Sequence, residues 1–355
     1  MRRALIIGVT GQDGQYLAEL LAAKGYQVFG LVRGQFNPKA GLIKKLVPSI
    51  RLLSGDLLDF SSLVNALAAA QPDEVYNLAA LHHVSSYFEQ PTLTSEITGM
   101  GVLRLLEAIR HYAAGETRKI RFCQASSCEM FAGSGEVPQR EMTPICPRSP
   151  YGAAKAFGHH MTRTYRESYG AWACAGILFH HESPRSSHEF VARKVTQAVA
   201  RIVLGLQNTL TVDDLEARRE WGFAGDYVEA LWLMMQRKMP SDYIIATGQT
   251  HSVRDLLNVA FRVAGIAEWE PYVRQHPLLK EPVGTELPVG DPAKAHRELG
   301  WSAHMGFDDL IALMVESDLA IESARCYSGR SAGDSGPGLR VAHHPVAAGL
   351  GKEPG

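Results

Sequence analysis

The chain has 355 residues, of which 46% are hydrophobic and 21% are charged, and its formal net charge at pH 7 is -1. This composition is typical of a globular protein with a large core, built as one main domain with additions. The near-neutral charge gives no indication of a polyanion-binding protein, and no stretch is long and apolar enough to span a bilayer. We therefore expect neither nucleic acid nor membrane among its partners.

The cysteines and the first residues indicate the cellular compartment. Five cysteines, an odd number without metal-type spacing, predict reduced thiols in a cytosolic protein. The opening "MRRALIIGVTGQDG" is interrupted by glycines and no small-residue cleavage site follows it, so it predicts a strand rather than a signal peptide. The expected location is the cytoplasm.

The first third of the chain alternates short apolar runs with helix-length amphipathic segments. In order they are "ALIIGV", "YLAELLAAKG", "YQVFGLV", "SSLVNALAAA", "DEVYNLAA", "VLRLLEAIRHYA" and "IRFCQASS", and "ACAGILF" and "YIIATG" follow as further strands. Strands separated by helices imply right-handed crossovers. The sequence therefore predicts an α/β fold with a doubly wound parallel sheet.

The predicted domains are interleaved along the chain. Residues 1–178 with about 222–250, which include the apolar core helix "YVEALWLMMQ", form a Rossmann domain that binds a dinucleotide. About 179–221 and 251–320, rich in charge, proline and histidine, form a smaller C-terminal α/β domain over the carboxyl ends of the strands, where ligands bind. Residues 322–355 lose periodicity and predict a flexible tail.

A glycine-rich turn follows the first strand. In "GVTGQDGQYLAELL", Gly8, Gly11 and Gly14 permit a tight turn and a close approach of backbone N–H groups to a pyrophosphate at the helix N-terminus. The spacing is GxxGxxG rather than GxGxxG. Its position between a strand and a helix favours dinucleotide binding over a merely structural turn.

Two charged residues after the next strands bear on the choice of cofactor. Arg33 stands where an acidic residue would bond the ribose hydroxyls of NAD, so it favours the 2′-phosphate of NADP, with NAD as the alternative if Arg33 is only a solvated charge. Asp56 is placed to bond an adenine amino group. The competing interpretation is an ordinary helix cap by Asp56 or Asp59.

The candidate catalytic residues lie in "QASSCEMF" and "SPYGAAK". Tyr151 and Lys155, four apart after a proline, share one helix face, where the ammonium can lower the phenol pKa. Ser127, at a strand end, can bond a substrate hydroxyl together with Tyr151. Glu129, two residues on and pointing the same way, is a second acid or base.

Histidine doublets raise the question of a metal site. They are His82-His83, His159-His160, His180-His181 and His343-His344. Adjacent residues on a strand point to opposite faces and no HExxH or CxxC framework accompanies them, so no metal is expected. His181 is better explained near a cofactor, and Arg219 is either a phosphate ligand or a surface charge.

These residues resemble the extended short-chain dehydrogenase/reductase superfamily and, within it, the GDP-mannose 4,6-dehydratases. The resemblance covers residues 3 to about 320. It rests on "GVTGQDGQYLAELL", "EVYNLAA", "QASSCEMF", "PRSPYGAAK", "GILFHHESPR", "FVARKV", "REWGFAGDYVEALWLMMQ" and "YIIATG". These strings are far more specific than the tyrosine and lysine that the whole superfamily shares.

The resemblance implies an internal redox cycle on a nucleotide sugar. Tyr151, helped by Lys155 and Ser127, takes the proton of the sugar C4 hydroxyl while hydride passes to NADP⁺. The C4 ketone acidifies the C5 hydrogen, Glu129 removes it and helps the C6 hydroxyl leave as water, and the hydride returns to C6.

The resemblance also implies binding residues. Those for the cofactor are Gly8, Thr10, Gly11, Gln12, Asp13, Gly14, Arg33, Asp56, Leu57, Leu78, Ala79, Ala80, Tyr151, Lys155 and His181. Those for the substrate are His82, His180, Glu182, Ser183, Val191, Lys194 and Arg219. A homodimer is expected, with a homotetramer as the alternative, because the loop after the second strand, "GQFNPKAG", differs from that of the family.

Several positions depart from the family pattern. Where the family has a catalytic threonine followed by a serine, this chain has Ser127 and Cys128. Where the family has an asparagine before His-Glu-Ser-Pro, this chain has His180. Arginines of the family that would bind the NADP phosphate are missing at Gly34 and Ser186. The residues expected around the sugar and the nucleotide also differ from the family at Leu81, His82, Val212, Asp213 and the stretch 281–284. Because the catalytic core is kept, we expect a nucleotide-sugar 4,6-dehydratase, with a modified hexose, a heptose or an octose as further candidate substrates. The alternatives are a nucleotide-sugar epimerase and a catalytically idle nucleotide-binding relative.

Overall fold

A seven-stranded parallel sheet lies at the centre of the protein. The computed structural model describes residues 1–34, 37–81, 88–114, 119–275 and 289–330. The sheet strands are β1 (Arg3–Ile7), β2 (Gln27–Val32), β3 (Arg51–Ser54), β4 (Glu74–Asn77), β5 (Arg121–Ser127), β6 (Trp172–Leu178) and β11 (Tyr243–Ile245). Their order is β3-β2-β1-β4-β5-β6-β11, which confirms the predicted doubly wound α/β class.

The strand order reverses between β1 and β4, because the chain adds β2 and β3 on one side of β1 and the later strands on the other. The crossover helices must leave opposite faces at this point, which opens a crevice at the carboxyl ends of the two strands. Ligands of such sheets bind in that crevice. The central strands are buried on both faces, as expected for their nearly continuous apolar sequences.

Helices cover both faces of the sheet. In the described ranges, the α-helices of seven or more residues are α1 (Gln12–Ala23), α2 (Ala40–Leu46), α3 (Phe60–Ala70), α4 (Gly101–Ala113), α5 (Pro150–Tyr169), α6 (Val191–Val203), α7 (Ala224–Met235), α8 (Val253–Val263), α9 (Ala293–Leu299) and α10 (Phe307–Arg330). Apolar residues of α1 and α7 pack on one face, and those of α3, α4 and α5 pack on the other. The predicted core helix "YVEALWLMMQ" is α7, buried as expected.

A separate hydrophobic cluster joins α6, α8 and α10. Three two-stranded sheets accompany it: β7 (His181–Glu182) with β10 (Gly222–Phe223), β9 (Arg218–Glu220) with β12 (Thr250–Ser252), and β8 (Leu210–Val212) with β13 (Val273–Gln275). The predicted division into two domains, with these residues in the smaller one, stays a prediction. Within the described ranges, no helix is long and apolar enough to cross a membrane.

The structure near the end of the described chain differs from two predictions made from the sequence. Ala295 and Trp301, within the predicted second domain, return to the sheet-side core, where the Trp301 indole donates to the carbonyl of Asp226 at 2.9 Å. The prediction that order ends at residue 322 was wrong, because α10 continues to Arg330. Glu322 is 2% exposed and pairs with Arg201 of α6, which anchors the helix at that point. The rest of the predicted tail, 331–355, lies outside the described residues.

A buried ion pair ties α6 to α10. Arg193 and Asp318, whose side chains are 4% and 1% exposed, form a salt bridge, and the Asp318 carboxylate also accepts from Thr196 Oγ1 at 2.8 Å. Such a pair is expensive to break, because removing one partner leaves an uncompensated buried charge.

We expect Arg193→Met to reduce the free energy of unfolding by about 3–5 kcal/mol, measured by urea denaturation. Adding Asp318→Leu to that variant should recover part of the loss, since the stranded carboxylate is gone. The control is Arg262→Met, which breaks an ion pair to Asp308 whose side chains are 65% and 63% exposed, and which should cost less than about 1 kcal/mol. Equal losses of unfolding free energy for Arg193→Met and Arg262→Met would contradict a stabilising role for the buried Arg193–Asp318 pair.

Candidate active site

The glycine turn brings three elements into close contact at the crevice. Gly8, which follows β1, has φ +89, and a Cβ there would lie 2.8 Å from the backbone nitrogen of Ala79, just after β4. A Cβ on Gly14 of α1 would lie 2.3 Å from the carbonyl oxygen of Gly8. Only glycine fits at these two positions, so β1, β4 and α1 meet backbone to backbone.

The N-terminus of α1 is suited to an anion. Its N-cap residue, Gly11, supplies no side-chain cap, so the N–H groups of the first turn are not satisfied by that residue. Such N–H groups and the helix dipole favour a phosphate. Together with the close-packed glycines, this arrangement fits the pyrophosphate of a dinucleotide.

A buried polar network lies behind the turn. The side-chain oxygen of Gln12 accepts hydrogen bonds from Ser183 at 2.7 Å and from Ser186 at 2.6 Å. Ser186 also hydrogen-bonds the buried carboxyl of Glu182, the pKa of which burial raises to about 7. Ser183 therefore contacts the start of α1 directly through Gln12, and Glu182 contacts it through Ser186. Their predicted role in substrate binding stays a prediction.

His181 connects this network to α1. Its Nε2 lies 3.0 Å from the carboxylate of Asp13, its Nδ1 lies 2.7 Å from the Phe179 carbonyl oxygen, and its ring stacks on Tyr227. Burial opposes the charged form of His181, but Asp13 outweighs it and raises the pKa of the imidazole. The sequence placed His181 near the cofactor but missed its pairing with Asp13, because 168 residues separate the two.

Ser127, Tyr151 and Lys155 come together where β5 ends. Ser127 is the last residue of β5, and Ser149 caps α5 by accepting from the Gly152 N–H at 3.0 Å, so that Tyr151 falls in the first turn. Lys155 is 4% exposed and donates from Nζ to the Ala125 carbonyl at 2.8 Å. Burial lowers the pKa of Lys155 to about 8.

The pKa of the Tyr151 phenol differs from the one predicted from the sequence. Burial raises its pKa, the negative charge of Glu129 raises it further, and the hydrogen bond from Ser127 lowers it only in part. The Lys155 ammonium lies 5.6 Å from the centre of the tyrosine ring. In the protein alone the net shift is therefore upward, opposite to the direction that we predicted from Lys155.

Glu129 reaches the site in a different way from the one predicted. It does not continue β5 but lies in a 3₁₀ turn, Cys128–Phe131, whose N-cap is Ser127, with the Ser127 Oγ accepting from the Glu129 N–H at 3.2 Å. The carboxylate nevertheless acts on the pKa of Tyr151 and lies 3.8 Å from His180. The strand argument was wrong, but the predicted neighbourhood of Glu129 and Tyr151 is found.

The remaining predicted residues lie around the strand ends. Arg33 is exposed directly after β2, and Asp56 Oδ1 accepts from the Leu58 N–H at 3.0 Å, while Asp59 is the helix cap of α3. Leu57, Leu78, Ala79, Ala80 and Thr10 are buried or half-buried close in sequence to these ends.

The predicted substrate residues belong to several elements. Val191 and the exposed Lys194 are in the first turn of α6, and Arg219 is in β9, with a charge that acts on the pKa values of Cys128 and His180. His82 and the altered stretch 281–284 lie outside the described residues. Sequence reasoning treated Ser186 only as a lost arginine and gave no signal of its bond to Gln12.

Comparison with known proteins decides the family. The family model described as GDP-mannose 4,6 dehydratase matches residues 5–314. The chain belongs to this family. GDP-mannose 4,6 dehydratase 1 of Arabidopsis thaliana is 45% identical over 326 residues, covering 90% of each chain. GDP-mannose 4,6-dehydratase of Yersinia enterocolitica is 42% identical over 352 residues, covering 90% of this chain and 94% of its own.

A solved structure shows the same fold. The UDP-glucose 4-epimerase of Thermus thermophilus, in complex with NAD, has a TM-score of 0.75 and 27% identity, and the match covers 90% of this chain and 99% of the epimerase. The resemblance to the GDP-mannose 4,6-dehydratase family and the assignment to nucleotide-sugar 4,6-dehydratases are confirmed by the family match and the curated relatives. No group of three or more metal-ligating side chains is found in the part of the chain that the structure describes.

We expect Gly14→Ala to weaken binding of a reduced nicotinamide dinucleotide, measured by fluorescence titration, and to cost about 1–3 kcal/mol of stability, because α1 must move away from β1. Gly41→Ala is the matched control, since a Cβ at Gly41 of α2 has no neighbour within 4 Å. Gly41→Ala should leave affinity unchanged. Undiminished affinity in Gly14→Ala would contradict a dinucleotide site at this turn.

Proposed function

We propose that the protein is an NADP-dependent 4,6-dehydratase of GDP-mannose or a closely related nucleotide sugar. The observation that carries the proposal is the placement of Glu129 beside Ser127 and Tyr151 at the end of β5. Ser127, Tyr151 and Lys155 suffice for reversible oxidation of an alcohol. A carboxylate at the same place adds a group for removing a proton from carbon and for releasing water.

The cofactor would lie across the crevice, with its pyrophosphate at Gly8, Gly11 and Gly14. When bound, the oxidised nicotinamide supplies a hydride acceptor and a positive charge beside the phenol. Arg33 favours NADP over NAD, because an exposed guanidinium directly after β2 can pair with a 2′-phosphate. The fit of the glycine turn supports a dinucleotide of either kind, and the structurally similar epimerase holds NAD.

The first proton moves to Tyr151. The C4 hydroxyl of the sugar would donate to the phenol oxygen, while Ser127 Oγ hydrogen-bonds the same oxygen and orients it. Tyr151 accepts the proton only as phenolate, and the Lys155 ammonium, fixed by the Ala125 carbonyl, stabilises that form. The C4 hydrogen leaves as hydride, so the sugar carbon becomes a ketone.

Glu129 acts on the ketone. Because the C4 ketone acidifies the hydrogen on C5, the carboxylate of Glu129 can take this proton and then pass it to the C6 hydroxyl, which leaves as water. The double bond between C5 and C6 then receives hydride at C6 and a proton at C5. Protons balance, since Glu129 ends the cycle as a carboxylate, and Tyr151 releases the proton of the C4 hydroxyl to solvent while solvent supplies the proton added at C5.

The substrate would be held by the unit proposed from residues 179–221 and 251–320. Arg219 and Lys194 are its candidate phosphate ligands, and Val191 is a candidate contact at the start of α6. Departures at His180 and Asp213 favour a modified hexose or a longer sugar as the alternative to mannose. Assembly as a homodimer, with a homotetramer second, remains our expectation.

A nucleotide-sugar epimerase is the second candidate, favoured by the structural similarity to an epimerase. An epimerase also oxidises C4 transiently but loses no water. The two activities therefore differ in their need for Glu129. Retention of Ser127, Tyr151, Lys155 and Glu129 together argues against a catalytically idle relative.

We expect Glu129→Gln to slow loss of water by at least ~100-fold, because the proton acceptor for C5 is gone. C4 oxidation should persist, seen as absorbance of bound reduced cofactor after mixing with nucleotide sugar. The matched control is Glu136→Gln, an exposed carboxylate in the following loop, which should retain full turnover. If Glu129→Gln dehydrates at the wild-type rate, the role given to Glu129 is wrong.

A further inference from the structure

Two departures from the family pattern meet in space beside Glu129. Cys128 stands where the family has serine, and His180 where it has asparagine. In the structure the Cys128 Sγ lies 3.9 Å from His180 Nδ1, and His180 Nε2 lies 3.8 Å from Glu129 Oε1. The imidazole is thus interposed between a thiol and the carboxylate that the proposed function uses.

We propose that His180 is a positioning residue for Glu129, which it orients through an Nε2–H hydrogen bond, and that the Cys128 thiol fixes the tautomer this bond requires. The proposal rests on the proposed function and deepens it. His180 touches neither the reacting carbon nor the cofactor in this account, and acts through the carboxylate.

The thiol determines which nitrogen carries the proton. Burial, followed by the charges of Glu129 and Glu220, raises the pKa of Cys128 well above its ordinary range, so the sulfur keeps its hydrogen. A thiol can donate a weak hydrogen bond, and His180 Nδ1 is the nitrogen that faces it at 3.9 Å, so the proposed arrangement has Nδ1 as the acceptor. In a neutral imidazole the proton must then lie on Nε2, on the side of Glu129.

His180 stays neutral in this position. Burial lowers its pKa to about 3, and the positive charges of Arg219 and His181 lower it in the same direction. At 3.8 Å from Glu129, His180 therefore faces the carboxylate as a neutral donor and not as the cation of an ion pair. Among the described residues, further charged or titratable groups that act on this cluster include Tyr151 of α5, Glu220 of β9 and Asp13 of α1.

The backbone holds His180 in place. Its carbonyl accepts from the Gly222 N–H at 3.1 Å, and the preceding residue, Phe179, donates to the Ile245 carbonyl at 3.0 Å. The backbone that carries the imidazole is therefore fixed, and the side chains of His180 and Glu129 are each 32% exposed. Closing the 3.8 Å separation by about 1 Å would give a hydrogen bond of ordinary length. Catalytic hydrogen bonds commonly tighten in this way when substrate binds.

The first test is the pH dependence of water loss by the holoenzyme in His180→Leu and His180→Asn. Removing the donor raises the pKa of Glu129, so the acid limb of kcat should move up by about one pH unit in His180→Leu, with turnover reduced about tenfold. His180→Asn retains an N–H donor and should lie near the wild type. His160→Leu, which changes an exposed histidine of α5, is the control and should change nothing.

Two results would overturn the proposed role of His180 in positioning Glu129. An unchanged acid limb with a raised KM in His180→Leu would make His180 a substrate ligand instead. An equal loss in His180→Asn and His180→Leu, with NADP(H) affinity also reduced in both, would indicate a purely structural residue.

The second test does not depend on the reaction. In ¹⁵N-histidine-labelled protein, with the His180 signals identified by their loss in His180→Asn, the nitrogen shifts should show the Nε2–H tautomer. Cys128→Ala should reduce its population. An Nδ1–H tautomer in the wild type would overturn the proposal even if the enzyme dehydrates its sugar. Conversely, if the wild type dehydrates no nucleotide sugar, the proposed function fails and the role of His180 with it, whichever tautomer is observed.

Discussion

The approach of three backbones at the glycine turn is the constraint on which the rest of the site depends. Because Gly8 and Gly14 carry no side chain, α1 can begin against the ends of β1 and β4. Gln12 and Asp13, held at this helix start, reach Ser183, Ser186 and His181 after β6. The segment that carries His180 is therefore tied directly to the dinucleotide crevice.

A second constraint is burial at the end of β5. Lys155 is enclosed and its ammonium is fixed by a backbone carbonyl, while the phenol of Tyr151 is held in its neutral form by burial and by Glu129. The protein alone therefore does not present an activated base. This arrangement suits an enzyme that oxidises only after the positively charged nicotinamide ring of a cofactor is in place, since that charge favours phenolate.

Local pattern was sufficient to predict the sheet, its helices and the glycine turn, because strand and helix periods and the steric demands of glycine are properties of short segments. The Tyr151 and Lys155 pair was equally accessible, since four-residue spacing in a helix is local. The pairing of Asp13 with His181, and of Cys128 with His180, depended on packing between distant segments. The continuation of α10 past residue 322 was missed because the buried carboxylate of Glu322 pairs with Arg201 of α6, a contact between distant segments that local composition does not show.

The proposed dehydration is tested most directly by following the C4 hydrogen of the sugar into the product. GDP-mannose labelled with deuterium at C4 would be incubated with the purified protein and NADP⁺, and the product analysed by mass and NMR. A dehydratase that works as proposed gives a product lighter by one water, with the deuterium at C6 and a solvent hydrogen at C5. A product of unchanged composition with its deuterium back at C4 would contradict dehydration and leave epimerisation as the activity of this site.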